Sequence, residues 1–250
     1  MRSALAAHWT RIGQLEHASV AAFARFILEL LAAGAPAELV GAAQCALGDE
    51  IQHARLCFGL ASAYAANPIG PGPLSTQGVL TDTGLHATVC AAIHEACIGE
   101  TLAAAEACDA LAEATDPAVR QVLVTIVRDE SAHAELGWKF LQWALAAGGP
   151  ELRDLARRAL QRAIESIREE AATQAQRPGA DPTSATLAGH GLSAEHRRHA
   201  ARRAALDQVV VPLSRALLGE EASRFGAAHG MTGRDAARVS ARVGSALPLG

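Results

Sequence analysis

The stretch DEIQHARL, residues 49–56, returns at residues 129–136 as DESAHAEL, so the chain writes Asp-Glu-x-x-His-Ala twice. Both copies lie among residues that favour helix. Residues three apart on an α-helix are about 60° apart around the axis and one turn along it. Glu50 with His53 therefore forms one chelating edge, and Glu130 with His133 forms another. Each edge offers a carboxylate oxygen and an imidazole nitrogen to one metal ion. A bundle that pairs two such edges draws one further Glu from each of its two remaining helices, and Glu16 and Glu100 stand at those places.

Outward from the repeat, apolar periodicity marks four long helices. The first runs from about Ala4 to Ala33, with Trp9, Ile12, Glu16, Val20, Phe23, Ile27 and Leu30 on one stripe, so Glu16 is expected to point inward. Gly34 and Pro36 break it. The second follows over about Ala37–Ala65 and buries Leu47, Glu50, His53, Ala54 and Cys57. The stretch NPIGPGPLSTQGVLTDTG, residues 67–84, is too rich in Pro and Gly for regular helix and makes a long connection. A third helix spans about Leu85–Ala114, with Val89, Ile93, Cys97, Glu100 and Ala104 in line. The short TDP turn at 115–117 opens the fourth, which runs to about Ala147 with Pro117 at its first position. One long crossover between the second and third helices, flanked by short turns, is the connectivity of ferritin-like bundles.

Two more amphipathic segments, Leu152–Gln176 and Ala194–Leu218, are separated by the loop RPGADPTSATLAGHG. The expected organisation is a bundle over 1–149, an added helical layer over 150–218, and a partly ordered tail over 219–250. From 151 to 215 eleven Arg face eight acidic residues. A solvated helix face accounts for so small a surplus, and the overall net charge of −4 gives nucleic acid binding no support.

Half the residues are apolar, and Ala, Leu, Glu and Arg outweigh β-formers, which predicts an all-α protein with a sizeable core. Cysteines at 45, 57, 90, 97 and 108 contain no CxxC pair and do not read as a disulfide or zinc framework. Cys57 and Cys97 read as core packing. Residues 1–7 hold no apolar signal region, and the most apolar stretch, 18–35, is interrupted by Arg25 and Glu29. A cytoplasmic protein without a membrane span is expected.

With Glu in the first helix, ExxH in the second, Glu in the third and ExxH in the fourth, residues 4–147 resemble the ferritin-like di-iron carboxylate superfamily. EHASVAAFARF, from Glu16, and the GET around Glu100 are similar to uncharacterised bacterial members. The resemblance implies a metal site of Glu16, Glu50, His53, Glu100, Glu130 and His133, which are also the catalytic residues. Four buried carboxylates are tolerable only if balanced, and two divalent cations balance them. Oxygen and imidazole donors without a thiolate suit iron, with manganese as the other choice. Asp49 and Asp129 are expected to accept the ring N–H of the histidine on the opposite helix, fixing its tautomer. His17 beside Glu16, and Glu95 near Glu100, are the competing ligands. His86, His94, His190, His196, His199 and His229 show no ligand spacing with a core carboxylate. Tyr64, the only tyrosine, lies eleven residues past His53, about 16 Å along a helix, too far for a radical beside the metals.

The resemblance leaves three functions open. Rubrerythrins normally carry a pair of CxxC motifs, which is missing, and the only methionines, Met1 and Met231, supply no helix-borne haem ligand of the bacterioferritin kind. Storage ferritins add only a short fifth helix, whereas about a hundred residues follow here. The favoured expectation is a non-haem di-iron oxidase or hydroxylase that uses O₂, a small organic substrate and an electron donor. It would be a monomer or small homo-oligomer. A ferroxidase or iron-binding protein, and a peroxide-removing di-metal enzyme, are the alternatives.

Overall fold

The computed structural model describes residues 1–80, 82–175 and 185–219, although nothing is described of the side chains of Gln174 and Ala175. Gln176, the loop residues 177–184, and the tail beyond Gly219 with His229 and Met231 lie outside the described residues. Within them the protein is all-helical, without a strand. No helix is long and apolar enough to cross a membrane. The chain divides into two compact units, Met1–Pro212 and Leu213–Gly250. In the second, the described residues Leu213–Gly219 comprise the end of a helix and the turn after it. Apart from the end of the last helix, the features that follow belong to the first.

Four long rods form a helical bundle: α1 (Arg2–Ala32), α2 (Ala37–Ala65), a composite third rod, and α5 (Pro117–Ala147). The third rod is α3 (Leu85–Ala92), a π-helical segment over Ile93–Glu100, and α4 (Thr101–Glu113). α1 and α2 pack along their lengths as a hairpin, α2 meets α5, α5 meets the third rod, and α3 returns to α1. The rods thus enclose a common interior. Trp9, Cys57, Ala61, Val119, Leu123 and Ile126 fill one end of it, and Phe26 meets Phe140 edge-on with centroids 5.1 Å apart. Asp116 caps α5, its Oδ1 accepting from the Ala118 and Val119 amides at 3.0 Å each, and such caps contribute about 1 kcal/mol.

The π segment was not expected from periodicity. Gly137 of α5 lies where an added Cβ would come within 2.7 Å of the Ala96 backbone and side chain. That close approach brings the two rods together at the point where the third departs from α-helical winding. The wide turn ends on Glu100.

After Gly148, α6 (Gly149–Ala175) packs on α3, the π segment and α5. It buries Leu152, Ala156, Ala159, Leu160 and Ala163, and each leucine contributes about 1.5–3 kcal/mol. A short α7 (Ala185–Gly189) lies inside the segment expected to be loop, and α8 (Glu195–Ala205) leads through a second π turn, Leu206–Val210, into α9 (Val211–Leu218). α8 is fastened to α4 by charge: Arg197 pairs with Asp109 at 2.7 Å and Glu113 at 3.1 Å, and Arg202 with Glu106 at 2.7 Å. The turn between α7 and α8 reaches the start of the chain, where the Trp9 indole donates to the His190 carbonyl at 3.2 Å. Tyr64 hydrogen-bonds His190 Nδ1 at 2.8 Å.

Candidate metal centre

The helical spacing of the duplicated motif places Glu50 and His53 on the inner face of α2 and Glu130 and His133 on the inner face of α5. All four are buried: Glu50 is 1 % exposed, His53 0 %, Glu130 3 % and His133 2 %. Glu16 from α1 and Glu100 from the end of the π segment join them. Two overlapping groups result, Glu16–Glu50–His53–Glu130 and Glu50–Glu100–Glu130–His133, each offering four ligand atoms within 4.8 Å of one another. Glu50 and Glu130 belong to both groups. The imidazoles lie side by side with centroids 5.9 Å apart, and Phe23 closes against His133 edge-on at 5.1 Å.

Each ring has an outward and an inward nitrogen. His53 Nε2 donates to Asp129 Oδ2 at 3.1 Å, and His133 Nε2 donates to Asp49 Oδ2 at 3.4 Å. The tie therefore crosses from α2 to α5 in both directions. With Nε2 protonated, Nδ1 of the neutral ring carries a lone pair directed into the cluster. His53 Nδ1 is 3.3 Å from Glu130 and 3.5 Å from Glu16, and His133 Nδ1 is 3.1 Å from Glu50. Neither Nδ1 makes a hydrogen bond, and neither does Glu50 Oε2, although all three atoms are buried. A buried unsatisfied polar atom costs about 1–3 kcal/mol, and more where it is charged. Glu50 belongs to both ligand groups and each histidine to one of them, so the donor set fits a cation bound among these atoms. The cluster can hold a metal ion.

Without a cation, protons must offset the charge. Burial raises Glu50 to about 7, with the Glu16 and Glu100 carboxylates adding to the rise and His133 opposing it. Burial and the adjoining Glu130 hold Glu100 well above the usual carboxylate range, and burial likewise raises Glu130. Burial disfavours a charge on His53, but the Glu130 and Glu16 carboxylates outweigh it and push the ring up to about 11. His133 is raised against the same penalty by Glu50. Asp129 is buried, which opposes its charge, yet Arg128 at 2.7 Å and His53 hold it below the usual range.

The competing side chains lie elsewhere. Glu95 is exposed and pairs with Arg25, which also pairs with the buried Glu29 at 3.2 Å. His17 enters neither ligand group. Cys57 and Cys97 are buried free thiols whose ionisation burial opposes, with nearby Glu16 and Glu50 adding to the effect at Cys57.

A cavity of about 280 Å³ opens beside the cluster. Glu16, Glu100 and Glu130 line one part of it, and Ile12, Ala107, Leu123 and Ile126 line its apolar walls. His8, Arg11, Ser193, Arg198 and Arg202 also line it. These polar residues were missed by reading the sequence, because the two stretches that carry them are nearly two hundred residues apart and have no ligand motif. Comparison with protein-family models, with curated proteins and with solved structures finds no match to this chain.

Proposed function

We propose that the chain is a ferritin-like four-helix-bundle protein with a two-iron centre, and that it acts as an O₂-dependent oxidase or hydroxylase on a small organic molecule. The observation that carries the reading is the pair of ligand groups sharing Glu50 and Glu130, set beside a cavity that reaches Glu16, Glu100 and Glu130. One ion would take Glu16 and His53, the other Glu100 and His133, with Glu50 and Glu130 between them. When bound, such an iron pair supplies two-electron reduction of O₂.

The chain's own residues would set geometry and access. Asp49 and Asp129 hold the histidines in the tautomer that presents Nδ1. Phe23 and the apolar cavity walls limit water around the carboxylates, and the cavity admits an organic substrate beside them. Incorporation of one oxygen atom into a C–H bond also consumes two electrons and two protons and releases water, so a hydroxylase needs an external donor. The added helices favour this reading over storage, because α8 and the turn before it help to build the cavity wall.

Repeated Fe(II) additions in air, followed by light scattering and iron analysis, test the reading. A small particle that saturates near two irons per chain and forms no mineral supports it. A large hollow assembly holding hundreds of irons would replace it with the storage alternative.

A further inference from the structure

The part of the cavity away from the metal ligands is polar in a particular way. Ser193 is 4 % exposed, yet its hydroxyl has no hydrogen-bond partner among the described residues. Arg198 Nε is also buried and unpartnered, and Arg198 makes no ion pair among the described residues. Arg11 makes none either. Of the three arginines lining the cavity, only Arg202 is matched by a carboxylate among the described residues, that of Glu106 at 2.7 Å. Burial first, then the neighbouring Arg11 and Arg198, push His8 down to about 4. The ring therefore stays neutral at physiological pH. Gly191, with φ of +87°, brings backbone against Trp9, where an added Cβ would come within 2.7 Å of the indole. That contact fixes the turn that delivers Ser193 and α8 to this place.

We infer that this polar end is a binding site for the anionic head group of the substrate. The ligand class is an organic anion, a short apolar body ending in a carboxylate or phosphate. Its head would take hydrogen bonds from Ser193 Oγ and the Arg198 guanidinium with Arg11 close by, while its body lies along Ile12, Leu123 and Ile126 toward Glu130. The volume suits a small molecule, since it lies just below the usual range of about 300–1,000 Å³ for ligand pockets. The inference rests on the proposed function only for the identity of the reactive end. The anion site itself does not require metal.

Calorimetric titration with octanoate, octyl phosphate, octanol and octylammonium tests it, on metal-free and iron-loaded protein at one ionic strength. At least one of the two anions should bind about tenfold or more tighter than octanol in both forms, a margin the size of one charge-assisted hydrogen bond, and the tighter anion identifies the head group. Arg198→Gln should remove most of that margin and leave octanol binding unchanged. Ser193→Ala should reduce it in a protein whose helical content and melting temperature are intact. Equal binding of octanol and both anions, a preference for octylammonium, or an Arg198→Gln protein that keeps the margin would overturn the inference. Anion binding that appears only with iron and survives Arg198→Gln would overturn it too, because the metals would then be holding the head group. Failure of the iron reading is separate: it shows in the iron content of the same preparations, whatever the anion margin.

Discussion

His53 and Asp129 join α2 to α5 through a buried 3.1 Å contact that turns the ring's other nitrogen onto Glu130 and Glu16. The reciprocal pair, His133 with Asp49, is longer at 3.4 Å, and the Asp49 side chain is 41 % exposed against 10 % for Asp129. Asp129→Ala should therefore weaken metal binding more than Asp49→Ala does. Losses of roughly 10- to 100-fold are expected for such partners, with Asp129→Ala near the upper end. Competition with a chelator measures both. Wild-type affinity in both variants would show that these aspartates do not support the ligands.

The shared carboxylates make a second prediction. Glu50 and Glu130 belong to both ligand groups, whereas Glu16 and Glu100 each belong to one. Glu16→Ala and Glu100→Ala should each leave about one metal ion per chain, while Glu130→Ala or Glu50→Ala should abolish one site and weaken the other. Equilibrium dialysis separates these outcomes.

The repeated Asp-Glu-x-x-His, the inward stripe through Glu16, and the breaks at Gly34–Pro36 and 67–84 are local patterns, so the members of the buried Glu and His cluster and the order of the long rods could be read from sequence. What could not be read depends on contacts between distant segments. The π turn before Glu100 accompanies the approach of Gly137 to Ala96, and periodicity on either rod is silent about it. The cavity's polar end depends on the 190s segment reaching Trp9 through His190. Glu29 read as an interruption of an apolar run, yet it is buried and paired with Arg25.

Gly137 supplies a third prediction, because a methyl group there would meet Ala96 at 2.7 Å, including its backbone carbon. Gly137→Ala should destabilise the protein by about 1–3 kcal/mol, as overpacking does, and should lower metal occupancy by displacing the segment that carries Glu100. Urea unfolding and metal analysis read the two effects. Unchanged stability would mean that the rods separate without cost.

Titration gives a fourth. In the metal-free protein Glu50 titrates near 7, above its ordinary 4.5, so its stabilising contribution is complete below about pH 4.5 and is lost as pH rises through 7. His53 behaves likewise between its ordinary 6.5 and about 11. The metal-free protein should lose stability on going from pH 5 to 9. Metal binding requires both groups deprotonated, so it should release protons, and affinity should rise over the same interval. The gap in melting temperature between loaded and metal-free protein should then widen with pH. A gap that narrows would contradict the assignment of Glu50 and His53 as ligands.

Iron content after anaerobic reconstitution with Fe(II) and desalting tests the central claim most directly. Two overlapping groups with two shared carboxylates predict close to two irons per chain in the wild-type protein. A value near zero, or zinc alone with iron freely available, would contradict a di-iron centre and leave the buried Glu and His cluster without the role argued for it.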